Sequence, residues 1–370
     1  MSEQAPSAEQ ILALLSDYPD PENGRPLQAN KQLRDIQVSD DRISMTLALT
    51  TFTAPLWNKV RADLIERLQN RFSNLPEISI DLVTHERVAS KIGQVGLRCK
   101  SVIAVGSGKG GVGKSTVAAA VAYGLQNAGC KVGLCDVDVY GPSIPHLIGV
   151  NERPEIIEVP GPNGELVNKI QPVEHHGLKV MSMGFLVEEG QAVIWRGPML
   201  HGAVTQFLRD TNWGELDYLI IDMPPGTGDI ALTLSQLLPL TGSVVVCTPQ
   251  EVALLDAVKA IAMYREVNIP VLGMVENMSY FLCPDNGKRY NIFGTGGARE
   301  KAQKLEVPFL GAVPINATIC DLGDEGKIGA VYDKDIHTDY DAFENICFQL
   351  VSQIAKKRST GTSRPSLPTL

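Results

Sequence analysis

Residues 108–115, GKGGVGKS, carry the densest chemistry in the chain and fit the spacing G-x-x-x-x-G-K-[ST]. Glycines at 106, 108, 110, 111 and 113 let the backbone turn its N–H groups inward, which makes a nest for phosphate oxygens. A helix starting near Lys114 would add its positive dipole end to that nest. Lys114 supplies a point charge for the β- and γ-phosphates, and the Ser115 hydroxyl is the expected Mg2+ ligand. Carboxylates of the same chemistry follow. Asp222 closes the apolar run DYLIID, where it could hold Mg2+ directly or through water. Asp136 and Asp138 in LCDVDVYGPS stand two apart, on one side of an extended chain.

These groups need a frame. SVIAVG from Ser101 is a short, almost wholly apolar run of the kind a sheet buried on both faces requires. Comparable runs recur in KVGLCD, LKVMSMG, DYLIID, SVVVCT, PVLGMVE and PFLGAVP, with helix-length stretches such as TVAAAVAYGLQNAG and LLDAVKAIAMYREV among them. Repeated strand-helix-strand predicts an α/β fold, a doubly wound, mostly parallel sheet with right-handed crossovers; with the motif at 108–115 it resembles a P-loop NTPase domain. Ahead of it, Ile11, Leu12, Leu14 and Leu15 have helical spacing and 19–26 break that helix. Ile43, Met45, Leu47 and Leu49 alternate as a strand, LWNKVRADLIERLQNRF is amphipathic, and ISIDLVT reads as another strand. The expected organisation is a small α+β domain over 1–88, a linker over 89–99, the P-loop domain over 100–355 and a disordered tail over 356–370.

Lysine plus arginine total 33 against 42 acidic residues, a net charge of −9, so neither nucleic acid nor an anionic membrane is expected as a partner. No run of about 18 apolar residues occurs, which argues against a membrane span. The opening residues MSEQAPSAEQ lack a basic stretch followed by an apolar one, so a reducing, cytoplasmic location is the expectation. Seven scattered cysteines fit free thiols or metal ligands better than a disulfide framework. His175 and His176 would project to opposite sides of an extended segment, which disfavours joint ligation; Trp195 and Trp213 read as packing, and Arg196 as a surface charge. The closing helix repeats Phe343, Ile346, Cys347, Leu350, Val351 and Ile354 at helical spacing, a core or dimer face.

The form K-G-G-x-G-K-[ST], with a second lysine at Lys109, resembles the deviant phosphate loops of the ATPases that include MinD, ParA and nitrogenase iron protein. That resemblance implies that Lys109 reaches across a dimer to the partner's nucleotide, and that 108–116 (Gly108, Lys109, Gly110, Gly111, Val112, Gly113, Lys114, Ser115, Thr116) cradle ATP. It further implies that Asp138 positions the attacking water while Asp136 is structural or in the Mg2+ network. PPGTGD after Asp222 is then a mobile nucleotide-sensing loop, and Asn277 meets the adenine edge.

Taken together, GSGKGGVGKST, DVDVYGPSIPHLIG, VIWRGPM, DYLIIDMPPGTGD, ENMSYF and IFGTGGA resemble one branch, the Mrp/ApbC-type iron–sulfur cluster carrier ATPases. The N-terminal unit resembles the small iron–sulfur-assembly domain of bacterial Mrp proteins. The resemblance implies a cytoplasmic homodimer that hydrolyses ATP slowly and holds a cluster at the dimer interface, with apo iron–sulfur proteins or an assembly scaffold as its clients. Many relatives place a C-x-x-C after the MSYF-like stretch, four thiolates per dimer. Here FLCPDNGKRY has Cys283 in the first position and Asn286 in the second, so two subunits offer two thiolates. Asp285 or another nearby oxygen ligand, a bound thiol such as glutathione, or a cysteine from elsewhere could complete the set; the sequence does not place Cys320. Ala54 precedes Pro55 where relatives often carry a reactive cysteine, so client docking or regulation is expected of that domain instead. Two other readings remain open: an ATP-regulated scaffold without its own cluster, and a MinD- or ParA-like spatial organiser.

Overall fold

Ser7 opens the first helix with a capping box: its hydroxyl accepts from the Gln10 N–H, and the Gln10 side chain accepts from the Ser7 N–H. The computed structural model describes residues 6–360 apart from 74, 140, 162–163, 187–196, 227 and 337–339. The chain folds as two units. Among the described residues, one holds 6–88, 128–130 and 351–360; the other holds Ala89–Asn127 and Lys131–Leu350.

In the first unit, helix α1 (Ala8–Leu15) precedes strands β1 (Leu33–Val38) and β2 (Arg42–Leu49), helix α2 (Trp57–Arg71) and strand β3 (Glu77–Thr84). The alternation at 43–49 produces β2, whose Ile43, Met45 and Leu47 are buried. β2 pairs antiparallel with β1 and parallel with β3, the parallel pairing being reached through a 3-10 turn, Thr51–Leu56, and α2. Ala54 and Pro55 lie in that turn. Val60, Leu64 and Leu68 of α2 are buried, as are Ile11, Leu15 and Phe52 of the same unit.

In the second unit the apolar runs become strands whose residues are buried on both faces. Its strands are β4 (Lys91–Ile92), β5 (Leu97–Gly106), β6 (Val132–Asp136), β7 (Ile156–Pro160), β8 (Leu166–Ile170), β9 (Val173–His175), β10 (Leu178–Ser182), β11 (Glu215–Asp222), β12 (Gly242–Cys247), β13 (Val271–Glu276), β14 (Phe281–Leu282), β15 (Arg289–Tyr290) and β16 (Phe309–Ala312). The helices are α3 (Lys114–Asn127), α4 (Ile144–Ile148), α5 (Gly197–Asp210), α6 (Gly228–Leu237), α7 (Glu251–Glu266), α8 (Gly297–Lys304), α9 (Ala317–Asp324) and α10 (Tyr340–Ser359), of which α10 runs on into the first unit. The main sheet has the order β16-β13-β12-β5-β11-β6-β10-β9, with β4 also on β5. All its pairings are parallel except that of the edge strand β9 with β10 and that of β4 with the start of β5, which is the mostly parallel α/β sheet the sequence pattern predicts. Chain order reverses around β5, so the carboxyl ends of β5, β6, β11, β12 and β13 flank a topological switch point.

Three expectations are corrected. Residues 89–99 are not a free linker: β4 and the start of β5 form a hairpin on the sheet, and the Ala89 N–H donates to Glu215 Oε1 at 2.9 Å. Only Ala89, Leu97 and Cys99 of this polar stretch are buried, which hides the period; Cys99 lies on β5, not in a connector. The helix does not give way at 356 but continues to Ser359, because Arg358 stacks over Phe52 at 4.4 Å and donates to the Glu22 carbonyl at 2.9 Å. His175 and His176 do not diverge. A left-handed φ of 49° at His176 ends β9 in a turn and sets the two rings 4.2 Å apart. Trp195 and Arg196 lie outside the described residues, while Trp213 is buried core. The six apolar positions of α10 are buried within this chain.

Candidate active site

β5 ends at Gly106, where a Cβ would overlap the Tyr264 hydroxyl of α7, and the chain enters the glycine loop at this point. Gly111 and Gly113 have φ of 78° and 77°, a region that side chains disfavour. Gly108 is needed for a different reason: a Cβ would overlap the backbone of Asp256 in α7. At Gly110 and Gly111 a Cβ would meet open space, so the loop presents bare backbone outward there. Lys114 and Ser115 form the first turn of α3, whose buried apolar residues anchor it against the sheet.

Four side chains, Lys114, Ser115, Asp138 and Asp222, converge below the loop. The Lys114 ammonium lies 2.6 Å from Asp222 Oδ1 and 3.7 Å from Asp138 Oδ2. The Ser115 hydroxyl donates to Asp222 Oδ2 at 2.6 Å, and Lys114 Nζ donates to Ser115 Oγ at 3.0 Å. Asp222 is fully buried and Lys114 is 7% exposed, so these charges compensate each other. The set fits a triphosphate with its cation: an ammonium to leave for phosphate oxygens, and a hydroxyl and carboxylate to take a hard divalent ion. Lys109 is half-buried, and among the described residues its ammonium has no ion-pair partner.

Asp136 and Asp222 are direct neighbours in register across β6 and β11. Asp136 Oδ1 accepts from the Asp138 N–H at 3.0 Å, and Oδ2 accepts from Ser182 Oγ at 2.8 Å and from the Ile144 N–H at 3.3 Å. It thus ties down the loop that carries Asp138, whose own Oδ1 accepts from the Gly141 N–H. The loop after β11 is held at Gly226, whose N–H donates to the Ser107 carbonyl at 3.0 Å.

Burial pushes the Asp136 carboxyl up from 3.8 to about 7, with the Asp222 charge adding to the rise and hydrogen bonds from Asp138 and Ser182 opposing it. Burial also raises Asp222, against the Lys114 charge and hydrogen bond that hold it down. Between about pH 4 and about pH 7 the folded chain therefore keeps a proton on Asp136 that the unfolded chain has lost, and stability falls as pH rises through that window. Asp136→Asn is expected to flatten this fall. The measurement is urea unfolding at pH 5 and pH 7.5; an identical slope in parent and variant assigns the proton elsewhere.

Asn277 takes a place the sequence does not suggest. Its Nδ2 donates to the Val112 carbonyl at 2.9 Å, and its amide is what a Cβ on Gly113 would overlap. One N–H of the amide expected on an adenine edge thus braces the phosphate loop, and its second N–H and Oδ1 are not used in that bond. Sequence alone does not single out Glu276, just before it. This carboxylate is buried at the end of β13, accepting from Ser279 Oγ at 2.5 Å and from the Ala298 N–H at 2.9 Å. A signal for it exists, since a carboxylate closing an apolar run is the pattern that marks Asp222.

Cys283 is half-exposed where β14 gives way to the turn of the β14–β15 hairpin. Its N–H donates to the Lys288 carbonyl at 3.0 Å, the Gly287 N–H returns to the Cys283 carbonyl at 2.8 Å, and Asn286 Oδ1 accepts from the Lys288 N–H at 2.9 Å. Asn286 thus acts as turn chemistry. Cys320 is exposed on α9, and Cys99, Cys130, Cys135, Cys247 and Cys347 are buried. Burial pushes the thiols of Cys247 and Cys347 up to about 12, which keeps them protonated. No helix among the described residues is long and apolar enough to cross a membrane.

Residues 98–351 match the family described as ParA: NUBPL iron-transfer P-loop NTPase, and residues 8–71 match the family described as iron-sulfur cluster assembly protein. The chain is 43% identical over 326 residues to an iron-sulfur cluster carrier protein of Synechocystis sp., covering 85% of this chain and 89% of that one. It is 50% identical over 230 residues to the iron-sulfur cluster transfer protein NUBPL of Dictyostelium discoideum, covering 62% of this chain and 69% of that one. A solved nucleotide-binding protein of Archaeoglobus fulgidus, in complex with ADP, is 41% identical with a TM-score of 0.53, covering 62% of this chain and 88% of that one. A glycine loop with Lys114, Ser115 and Asp222 gathered beneath it, and a match across most of the sequence, place the chain in one group: it belongs to the NUBPL iron-transfer P-loop NTPase family.

Proposed function

We propose that the protein is an ATP-hydrolysing carrier that binds iron–sulfur clusters and passes them to apo-proteins in the cytoplasm, working as a homodimer. The observation that carries this reading is the mutual pairing of Lys114, Ser115 and Asp222 beneath the glycine loop. ATP would displace that pairing, drawing Lys114 to its β- and γ-phosphates while the loop amides of 108–116 hold the phosphate oxygens. Ser115 and Asp222 would hold Mg2+, which neutralises the developing phosphate charge. Asp138, fixed through Asp136, orients the attacking water, and Lys109 adds a positive charge from the neighbouring subunit. The ADP complex of the Archaeoglobus fulgidus relative and the carrier names of the curated relatives support the same assignment.

The cluster is cargo, and Cys283 is its thiolate. Two copies supply two sulfurs, completed by Asp285 or by a bound small thiol. Anaerobic reconstitution with iron and sulfide, followed by transfer to an apo-acceptor, tests this. We expect a visible chromophore in the parent and its loss, by about tenfold or more in bound iron, in Cys283→Ser. A chromophore unchanged in Cys283→Ser removes that thiol from the site. The Asn286 side chain, occupied in the turn, favours one rival, a nucleotide-regulated scaffold without its own cluster. Iron-free protein after anaerobic purification and reconstitution would select it.

A further inference from the structure

We propose that residues 276–280 form a relay that couples occupancy of the phosphate loop to the setting of Cys283, with Asn277 as its contact on the loop and Glu276 as its positioning residue. The inference rests on the nucleotide reading of the loop and asks how that site could influence a thiol on another element. The first link is a single peptide plane. The Val112 carbonyl accepts from Asn277 Nδ2 at 2.9 Å, and in a planar trans peptide the N–H of the same unit, at Gly113, points the opposite way. Asn277 therefore holds one end of a peptide whose other end is turned away from it, toward the side available to phosphate. Any rotation of that plane when an anion arrives is felt at Asn277.

The second link is stiff. The Asn277 N–H donates to the Cys247 carbonyl at 2.8 Å, so Asn277 cannot drift with the loop. Met278 follows with a left-handed φ of 52°, a conformation that a non-glycine residue holds only when its surroundings impose it. Glu276 imposes it. Its buried carboxylate takes Ser279 Oγ on one oxygen and the Ala298 N–H at the start of α8 on the other, closing a tight loop around Met278. The Val313 N–H donates to the Glu276 carbonyl and the Ser279 N–H to the Val313 carbonyl, both at 2.8 Å. A buried carboxylate is expensive to desolvate, so one spent on a three-residue turn marks a geometry that must be held.

The third link reaches the thiol. The Ile315 N–H donates to the Tyr280 carbonyl at 2.6 Å, Phe281 bridges to Ile315, and Arg289 stacks over the Tyr280 ring at 3.9 Å. Phe281 and Leu282 are β14, and Cys283 is the next residue. Between Val112 and Cys283 the path thus consists of one side-chain bond to the loop and a short segment fixed on both sides by backbone pairing.

The test reads Cys283 alkylation by iodoacetamide in the full chain, followed by peptide mass spectrometry. Exposed Cys320 on α9 serves as the internal reference, the other five cysteines being buried. Saturating ATP with Mg2+ is expected to change the Cys283 rate, relative to Cys320, by about fivefold or more in the parent. Asn277→Ala and Ser279→Ala are each expected to shrink that change to near unity, and Ser279→Thr, which keeps the hydroxyl, to restore it. Ser279 does not touch the loop, so its variants decide the matter should Asn277→Ala lose nucleotide. A full nucleotide response in Ser279→Ala, or none in a parent that takes up ATP by calorimetry, overturns the relay and leaves the nucleotide reading standing. A parent that takes up no ATP overturns that reading, and the relay with it.

Discussion

Lys114→Ala is expected to abolish ATP uptake and, before any nucleotide is added, to cost the chain about 3–5 kcal/mol of stability. The two effects share one origin. The ammonium is the counter-charge of Asp222, which is fully buried, and it lies 3.7 Å from Asp138. Alanine leaves those carboxylates without it, and Ser115 alone cannot compensate a buried anion. Asp222 would respond by taking up a proton, since the Lys114 charge is what opposes the upward pull of burial on its carboxyl. The folded variant then binds more protons than the folded parent, so the deficit is largest near pH 8 and shrinks toward pH 5. Urea unfolding at both pH values measures this. For the ligand, the loop amides would remain but the charge aimed at the phosphates would be gone, and calorimetry should detect no heat of uptake. A variant that binds ATP like the parent, or whose deficit grows on acidification, contradicts the assignment of Lys114 as the shared counter-ion.

The parts of this molecule that can be read from sequence are those whose physics is local. SVIAVG and DYLIID announce buried parallel strands because a strand covered on both faces has no polar side to show, and they form β5 and β11 at the middle of the sheet. The glycine loop is equally local, since residues 108–115 carry both the backbone freedom and the charges their task needs. What stays hidden depends on partners distant in sequence. Asn277 lies 165 residues from the Val112 carbonyl it braces, and nothing in VENMS specifies that contact. Glu276 has the same difficulty, its acceptor duty being set by Ala298 and Ser279. The hairpin of β4 and β5 is unreadable because so little of it is buried that no period emerges. The polar composition at the end of α10 suggests a frayed tail, yet Arg358 carries a long apolar stem and a planar cation that Phe52 can take.

The same dependence on remote partners underlies the second large effect, in the N-terminal unit. Arg87 ends the stretch after β3, and its guanidinium lies 2.8 Å from Asp20 Oδ2 and 3.1 Å from Glu22 Oε2. Asp20 is fully buried in the loop that breaks the first helical segment, a place where sequence suggests only a turn. Its Oδ1 accepts from the Glu22 N–H at 3.0 Å and its Oδ2 from Asn30 at 3.3 Å. The carboxylate thereby organises the loop while Arg87 compensates its charge. Arg87→Ala removes the cation and leaves the anions in place, an asymmetry expected to cost about 3–5 kcal/mol. Arg87→Lys keeps the charge but cannot span both carboxylates with a planar fork, and is expected to recover about half of the loss. The measurement is native-state hydrogen exchange on the full chain. In Arg87→Ala the amides of β2 and β3 should lose protection, while those of β5 and β11, in the other unit, keep theirs and calorimetric ATP uptake persists. Uniform loss of protection across both sheets would mean that the ion cluster stabilises the whole chain and not its own unit; unchanged protection at β2 and β3 would mean that neighbouring donors already satisfy Asp20 and Glu22.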